Sequence, residues 1–338
     1  MKRQQLPDLL KGLAAFFMVQ VHITELFIDD AGRESLFGKI SLFCGGPFAA
    51  VVFMIVMGYF IAKNKKTPAE NIVRGVKIFF LGFLLNIGLN FHLILKVMFG
   101  GWQLNFWEYI FGVDILYLAG MSIVILSMLK YFRKGTFWIA LLLILSVSGL
   151  TGFMNVKLTG IGQNYVLPFI AGNYSWSYFP IFPWLAYPLA GFLFALQEER
   201  IRQFVTRRKT ISGVTIFLTG LLVLVFSRSA IETTIQLPLY YHHTFTYFIW
   251  ASGFVLLWIL LVQLVSKYAS DTRLSQFICW IGKNITLFYV VQWLLIGNVA
   301  TAIYRTQSID RFLYYLIGIF ALTVLFTFLL GKIKIRIL

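Results

Sequence analysis

The feature that most constrains the fold is a series of long apolar stretches along the whole chain. They run about 18 to 24 residues, the length an α-helix needs to cross a hydrocarbon core roughly 30 Å thick. Charged residues make up only 12% of the sequence, and its mean hydropathy is +0.81. A soluble domain is about 25% charged. We therefore expect lipid to surround most of the chain.

We predict an all-α, polytopic integral membrane protein with about ten transmembrane helices, because an open sheet cannot satisfy its backbone groups in lipid. All of these helices are expected to belong to one domain comprising residues 1–338. The predicted spans are residues 6–28, 44–62, 73–97, 109–129, 136–154, 178–196, 211–227, 245–266, 277–299 and 312–330.

The distribution of Lys and Arg predicts the orientation of the spans. Of the 28 basic residues other than Lys11, 21 fall at the two ends or in alternate connections, and seven fall in the remaining connections. Because basic residues are enriched on the cytoplasmic side, both termini are predicted to be cytoplasmic. The net charge of +16 thus reflects orientation, and no nucleic-acid partner is expected. With no organellar signal visible, a bacterial inner membrane is the expected location.

The first span contains ionisable residues, which are costly within a membrane and usually functional there. Asp8 and Lys11 are one turn apart and can form an ion pair, as a structural anchor or as part of a site. His22 lies about 21 Å further along the helix, and Glu25 follows one turn later on the same face. A lone buried histidine is more often a packing residue. Beside a carboxylate, however, a neutral imidazole can take a proton from an amine or hydroxyl that attacks a thioester. We predict that His22 and Glu25 are catalytic.

Other polar residues are predicted to lie in the outer half of the membrane. They are Asn86 and Asn90 in the third span, Asp114 in the fourth and Gln292 in the ninth. Each alone is typical of an interhelical hydrogen bond. Together they predict a polar cavity in which Asp114 helps to position the catalytic base, while Asn86, Asn90 and Gln292 bind the substrate.

The predicted outer connections are rich in aromatic residues, among them Trp176 and Tyr178. One interpretation is an aromatic belt at the membrane interface. The other is a stacking surface for a sugar or a similar polar acceptor, and on this interpretation Trp176 and Tyr178 bind the substrate.

A basic segment, residues 63–77, follows the second span and includes Lys63, Lys66, Arg74 and Lys77. Together with a helix start near Asn71, it could hold the phosphates of a nucleotide-like donor. The alternative is a role in orientation and in attraction to anionic membrane lipids.

Several kinds of site are disfavoured by the motifs that the sequence lacks. Cys44 and Cys279 lie far apart within apolar segments, so no disulfide framework or metal site is predicted. There is no phosphate-binding glycine loop, no zinc-helix motif and no nucleophilic serine elbow, which disfavours a phosphate-driven pump and an intramembrane hydrolase.

At the start of the sequence, Arg3 is followed by Asp8, Lys11, Gly12 and His22. This spacing resembles the opening of the transmembrane acyltransferase superfamily, which is an Arg, then Asp-x-x-Arg-Gly, then a His about ten residues on. Lys11 stands in place of the second Arg of that pattern. Further segments resemble the branch that includes heparan-α-glucosaminide N-acetyltransferase, which is related to acyltransferase family 3. These segments are residues 45–58, 74–86, 179–191 and 281–289.

The resemblance implies that acetyl-CoA, or another acyl-CoA, enters from the cytoplasm. Its acyl end would reach an acceptor on the far side, an amino sugar or a glycan. His22 then occupies the catalytic position, while Gln292 stands where many relatives have a late His. Arg74 and Lys77 fall on basic positions near the donor phosphates. The predicted donor-binding set is completed by Arg3, Lys11, Lys63 and Lys66.

Two classes of function remain open from the sequence. The leading hypothesis is an acyl-CoA-dependent N- or O-acetyltransferase. The alternative is a secondary transporter, or a lipid- or glycan-handling membrane protein without acyl transfer, although no internal repeat of the kind found in many transporters is visible. The sequence does not identify the acceptor, the acyl chain or the oligomeric state, for which a homodimer is one option. It also leaves open whether His22 or another residue is the base.

Overall fold

The chain folds almost entirely into helices. The computed structural model describes residues 5–132, 135–161, 164–269 and 272–333, and within these ranges it contains two isolated β-bridges and no β-strand. One further turn, Gly46–Val51, is π-helical. The α-helices are α1 (Gln5–Leu26), α2 (Asp30–Glu34), α3 (Leu36–Gly45), α4 (Val52–Lys63), α5 (Pro68–Leu89), α6 (Phe91–Phe99), α7 (Phe106–Ile110), α8 (Ile115–Leu129), α9 (Thr136–Gly149), α10 (Thr151–Thr159), α11 (Ile181–Trp184), α12 (Ala186–Arg207), α13 (Lys209–Ile235), α14 (Leu237–Tyr241), α15 (Phe245–Ala269), α16 (Arg273–Lys283), α17 (Ile285–Ile303) and α18 (Phe312–Lys332).

Within the described ranges, seven helical segments are long and apolar enough to cross a membrane, and the count reaches eight if α9 and α10, bent by 55°, form one span. Their outer faces are apolar, as lipid contact requires. In α13, for example, Phe217 is 70% exposed and Leu224 is 74% exposed. The all-α class of the described residues is therefore confirmed.

Two of the predicted spans do not meet the length and composition expected of a crossing helix. The span at 109–129 corresponds mainly to α8, which has only 15 residues. The span at 178–196 corresponds to α11 and α12, and the second half of α12 carries four charged residues close together, Glu198, Glu199, Arg200 and Arg202. The count of ten and the side on which the termini lie stay predictions.

Two other predicted spans are interrupted. Residues 73–97 divide into α5 and α6 at Asn90, whose Nδ2 donates to the carbonyl oxygens of Asn86 (2.9 Å) and Tyr109 (3.4 Å). Residues 277–299 divide into α16 and α17 at Asn284, whose Nδ2 donates to the carbonyl oxygen of Trp280 (2.9 Å). Asparagine side chains compete with the helical backbone for hydrogen bonds, which explains both breaks.

By their contacts the helices form two units. Unit 1 comprises Met1–Val52, Phe83–Phe111 and Ile259–Leu338, and unit 2 comprises Phe53–Gly82 and Gly112–Trp258. The expectation of a single domain stays a prediction.

In unit 1, α1 packs directly on the backbone of α16. A side chain at Gly12 would overlap the carbonyl oxygen of Ile278, and one at Gly282 would overlap the carbonyl oxygen of Asp8. Glycine is therefore required at both positions, since any Cβ would push the helices apart. This contact accounts for the glycine that follows Lys11 in the sequence pattern.

The core of unit 2 contains a cluster of aromatic rings around His243. His243 Nε2 lies 2.9 Å from the hydroxyl of Tyr187, and its Nδ1 lies 2.7 Å from the carbonyl oxygen of Tyr240. The neighbouring Trp184 Nε1 donates to the carbonyl oxygen of Tyr241 at 2.8 Å. Burial lowers the pKa of His243 to about 3, so the ring is neutral at ordinary pH. Every polar atom named here has a partner, which is typical of a structural core.

Candidate active site

His22 lies one turn before the end of α1. Its Nδ1 is 3.7 Å from Oε2 of Glu25, and both side chains are 15% exposed. The structure thus brings together the two residues that their spacing placed on one face of the helix. At this distance the pair is a charge contact that forms when the ring is protonated, rather than a hydrogen bond.

Trp293 of α17 covers the imidazole of His22. The two ring centroids are 4.1 Å apart, and the ring planes are tilted by 42°. Trp293 is not among the site residues predicted from the sequence, although the preceding residue, Gln292, is. Only the tertiary packing of α1 against α17 reveals that Trp293 belongs to the same site.

Polar atoms without a hydrogen-bond partner occur on both residues of this contact and on Gln292, the residue before Trp293 in α17. Within the described residues, His22 Nδ1, Trp293 Nε1 and both amide atoms of Gln292 are buried and accept or donate no hydrogen bond. Gln292 is completely buried, at 0% exposed. A buried polar atom without a partner costs roughly 1–3 kcal/mol, so several of them on facing helices mark a place where a ligand or water supplies partners.

The opposite side of α1 is fixed by a complete hydrogen-bond network. Gln20 Nε2 donates to the carbonyl oxygen of Ser41 at 2.9 Å, and the Ser41 hydroxyl donates to Gln20 Oε1 at 2.5 Å. The Thr24 hydroxyl lies 2.5 Å from the same Ser41 hydroxyl. Gln20 and Thr24 flank His22 at two residues on either side, so they face away from it on the helix. The network ties α1 to α3 and so orients the imidazole.

Asp8 and Lys11 form the predicted ion pair in the first turns of α1. Lys11 Nζ is 2.9 Å from Asp8 Oδ1, and Asp8 is almost completely buried. About 21 Å of helix separates Asp8 from His22. The pair therefore lies far along α1 from the imidazole, and the charge of Lys11 is already balanced.

Asn86 and Asn90, two predicted substrate-binding residues, bond to the backbone of unit 1. Asn86 Nδ2 donates to the carbonyl oxygen of Ile110 at 3.0 Å, and Asn90 bonds across the helix break as described above. These bonds hold α7 against the end of α5. These hydrogen bonds fit the packing role that was the alternative for each residue, and a role for Asn86 or Asn90 in substrate binding stays a prediction.

In unit 2, the first basic residue of the 63–77 segment is paired. Lys63 Nζ lies 2.6 Å from Glu198 Oε2, and the Tyr59 hydroxyl donates to the same carboxylate at 3.2 Å. The segment then turns into α5 through a capping box, in which Thr67 and Glu70 satisfy each other's backbone N–H groups.

The other basic residues of that segment are available for a ligand. Lys66 and Lys77 are exposed. Arg74 is half-buried, and its guanidinium makes no hydrogen bond or ion pair with any residue that the structure describes. Arg3, the remaining predicted donor-binding residue, lies outside the described residues.

Asp114, Trp176 and Tyr178 lie together in unit 2. Asp114 caps α8, where its Oδ1 accepts from the backbone N–H of Ile115 at 2.6 Å. The adjacent Val113 bonds through its backbone to both Trp176 (2.7 Å) and Tyr178 (3.2 Å). Trp176 Nε1 is buried and has no hydrogen-bond partner among the described residues. Asp114 belongs to a different unit from His22, and a role for it in positioning that imidazole stays a prediction.

A surface groove of about 600 Å³ in unit 2 includes none of the predicted site residues. Its walls come from α9 and from the second half of α12, which contributes one cationic side chain. The lining residues are Phe137, Trp138, Gln197, Arg200, Ile201 and Phe204. The groove holds no general base, so it does not compete with the His22 site for the chemistry.

Comparison with known proteins identifies the type of chain. A family model for an acyltransferase domain, that of acyltransferase family 3, matches residues 6–332. The match covers nearly the whole chain and confirms the resemblance seen in the first span. No curated protein matches the chain.

Proposed function

This chain belongs to acyltransferase family 3 and is an integral, multi-pass membrane acyltransferase, and from this premise we propose that it transfers an acetyl group from cytoplasmic acetyl-CoA to a glycan or amino sugar outside a bacterial inner membrane. Acetyl-CoA is the acyl donor in this proposal, and the attacking group of the acceptor is an amine or a hydroxyl.

The observation that carries the proposal is the surroundings of His22. An imidazole near one end of a membrane helix, with a carboxylate at 3.7 Å and several unpaired buried polar atoms beside it, is costly to maintain. A packing histidine would have its nitrogens satisfied by the protein. A catalytic histidine instead keeps a nitrogen available for the substrate.

The proposed reaction uses the two ring nitrogens of His22 differently. With Nδ1 turned towards Glu25, Nε2 takes the proton of the acceptor amine or hydroxyl as that group attacks the thioester carbonyl. A bond forms between the acceptor and the acyl carbon, the carbon–sulfur bond breaks, and the departing thiolate of CoA takes the proton back from the imidazolium. Holding the thioester and the acceptor side by side supplies much of the acceleration.

Arg74, with the exposed Lys66 and Lys77, is the basic group best suited to the donor phosphates. No described residue neutralises the Arg74 guanidinium, whereas Lys11 is paired with Asp8 and Lys63 with Glu198. A guanidinium binds phosphate oxygens through two parallel hydrogen bonds.

Donor binding is tested first, by thermal shift of the purified protein with acetyl-CoA. We expect acetyl-CoA to stabilise the wild type and the shift to be largely lost in Arg74→Gln. Arg202→Gln serves as the matched control, because that exposed guanidinium is already bonded to Glu199 at 2.9 Å. An equal thermal shift with acetyl-CoA in the two variants would show that Arg74 does not bind the donor.

Transfer is tested by release of free CoA and by acetylation of added glycans and amino sugars in reconstituted vesicles. We expect His22→Ala to keep the stabilisation by acetyl-CoA and to lose transfer by roughly 10²–10⁴-fold, the usual contribution of a general base. Wild-type turnover by His22→Ala would refute its role. Movement of a sugar across the membrane without release of CoA would favour the transporter alternative.

A further inference from the structure

Gln292 is an exception among the buried amides of unit 1. Gln20, 7% exposed, uses both ends of its amide in hydrogen bonds to Ser41. Gln292 is more deeply buried, yet neither its Nε2 nor its Oε1 has a hydrogen-bond partner among the described residues. Since buried amides are almost always paired in folded proteins, this amide is the part of the site that most requires a ligand.

The packing of α17 shows where the amide of Gln292 lies. Phe288, one turn earlier, contacts Phe320 of α18, with ring centroids 5.8 Å apart. Trp293, the next residue, contacts His22 of α1. Successive residues of an α-helix are rotated by about 100°, so Gln292 lies between these two directions. Its side chain is therefore directed to the region where α1, α17 and α18 meet.

The three helices also meet below this level, which gives the region a floor. Phe16 of α1 packs against Phe320 at 5.8 Å, and Phe288 packs against the same ring. His22 lies six residues beyond Phe16, and Gln292 lies four residues beyond Phe288, or about 9 Å and 6 Å along their helices. The imidazole and the unpaired amide are thus at similar heights above one apolar layer.

The unpaired atoms define the chemistry of the missing partner. A primary amide offers N–H donors and a carbonyl acceptor side by side, and the indole of Trp293 adds one more donor. Their complement includes a carbonyl oxygen for the two N–H donors and an N–H for the Gln292 oxygen, and a secondary amide carries one of each, on opposite sides of its trans C–N bond. We propose that Gln292, assisted by Trp293, binds a secondary amide of the substrate and so positions the reacting group beside His22.

This inference rests on the proposed acyl transfer, whose substrates supply such an amide in two ways. The pantetheine arm of an acyl-CoA contains secondary amides close to the thioester. An N-acetylated sugar acceptor contains one next to its ring. The recognition chemistry is the same in both cases, and the experiment separates the two sources.

The first arm of the experiment compares acetyl thioesters with and without an amide, S-acetyl-N-acetylcysteamine and S-acetyl-butanethiol, alongside acetyl-CoA. If the donor amide is bound, the wild type prefers the amide-bearing thioester by about tenfold to hundredfold, the value of one or two buried hydrogen bonds. Gln292→Met, which keeps the length of the side chain and removes its amide, then loses this preference and raises KM for acetyl-CoA by a similar factor.

The second arm compares N-acetylated with non-acetylated sugar acceptors, using acetyl-CoA as the donor. If the acceptor amide is bound, Gln292→Met loses the preference among acceptors and keeps the preference among donors. Gln263→Met, a substitution at an exposed glutamine of α15, is the matched control and keeps both preferences.

The variant is expected to fold, because it replaces unpaired buried polar atoms by apolar ones. We expect the melting temperature of Gln292→Met to be equal to or above that of the wild type. If Gln292→Met keeps both preferences and the KM of the wild type, the amide holds only water and the inference is overturned. Failure of the wild type to release CoA from acetyl-CoA with any acceptor would overturn the proposed function itself, and this inference with it.

Discussion

His22 in unit 1 and His243 in unit 2 both pack against aromatic rings, but they differ in the hydrogen bonding of their ring nitrogens. Both nitrogens of His243 lie within hydrogen-bond distance of protein oxygens, at 2.9 and 2.7 Å. Nδ1 of His22 is buried with no hydrogen-bond partner, and its nearest charged neighbour is Glu25 at 3.7 Å. The adjoining tryptophans differ in the same way, since Trp184 Nε1 has a backbone partner and Trp293 Nε1 has none among the described residues.

The difference separates a structural cluster from a site. A satisfied buried network adds stability and defines a unique packing. An unsatisfied one lowers stability, and a folded protein tolerates that mainly where function requires it. Aromatic surroundings and burial alone would not have distinguished the two histidines, whereas the partners of their nitrogens do.

The largest expected effect comes from exchanging each histidine for alanine. We expect His243→Ala to lower the free energy of unfolding by about 3–5 kcal/mol, because it opens a cavity and removes the ring nitrogens that contact the Tyr187 hydroxyl and the Tyr240 carbonyl oxygen. His22→Ala should cost less than about 1.5 kcal/mol, since it breaks no hydrogen bond. Thermal unfolding in one detergent measures both, and equal losses would erase the distinction between the clusters.

The two buried glutamines of unit 1 provide the next comparison. Gln20→Met should lower stability by about 2–3 kcal/mol, because it removes the hydrogen bonds that both ends of the buried Gln20 amide make with Ser41. Gln292→Met removes no hydrogen bond to a described residue and should not lower stability. A loss in Gln292→Met as large as that in Gln20→Met would mean that the Gln292 amide is structurally bonded in the folded protein.

Smaller effects are expected when single polar atoms are removed. Tyr187→Phe takes away the hydroxyl next to His243 Nε2 and should cost about 1–2 kcal/mol. Trp293→Phe removes an indole nitrogen that has no partner among the described residues and should leave the melting temperature within a degree or two of the wild type. A clear destabilisation by Trp293→Phe would indicate that the indole nitrogen has a partner in the folded protein.

The smallest effect is a dependence of stability on pH. The pKa of His243 is lowered to about 3 and that of His242 to about 4, both by burial. Unfolded histidines bind a proton near pH 6.5, so the unfolded state binds more protons and stability falls as the pH drops below that value. Each histidine should contribute about 1 kcal/mol between about pH 6.5 and about pH 5.5. His242→Gln should roughly halve the part of the decline in melting temperature that the two histidines cause. If the melting temperature of this variant depends on pH as that of the wild type does, His242 does not contribute to the decline.

The spans that face lipid were predictable because hydropathy and length are almost their only requirements. The prediction of 245–266 corresponds to α15, Phe245–Ala269, and that of 312–330 to α18, Phe312–Lys332. The breaks at Asn90 and Asn284 were not predicted. They depend on where one amide finds a carbonyl, and an asparagine within an apolar run is equally compatible with an unbroken helix.

In the candidate site, too, the contacts between residues near in sequence were predictable, and those between distant residues were not. The pairs Asp8–Lys11 and His22–Glu25 follow from a spacing of three residues on one helix, and the structure contains both. The contact of Trp293 with His22 and the pairing of Lys63 with Glu198 join distant parts of the sequence. No periodicity reports such contacts, because they arise only when whole helices pack.

The glycine contact between α1 and α16 has a consequence for how this protein can change. Gly12 and His22 are about 15 Å apart along one helix, so the angle at which α1 packs on α16 at Gly12 affects the position of the imidazole. A tilt of about 4° there swings the imidazole by about 1 Å, an error that can cost about a hundredfold in rate. A chimera that took α1 from one protein and α16 from another would thus displace the imidazole from its catalytic position, although the residues around the ring would be the same. The two helices should be exchanged only as a pair.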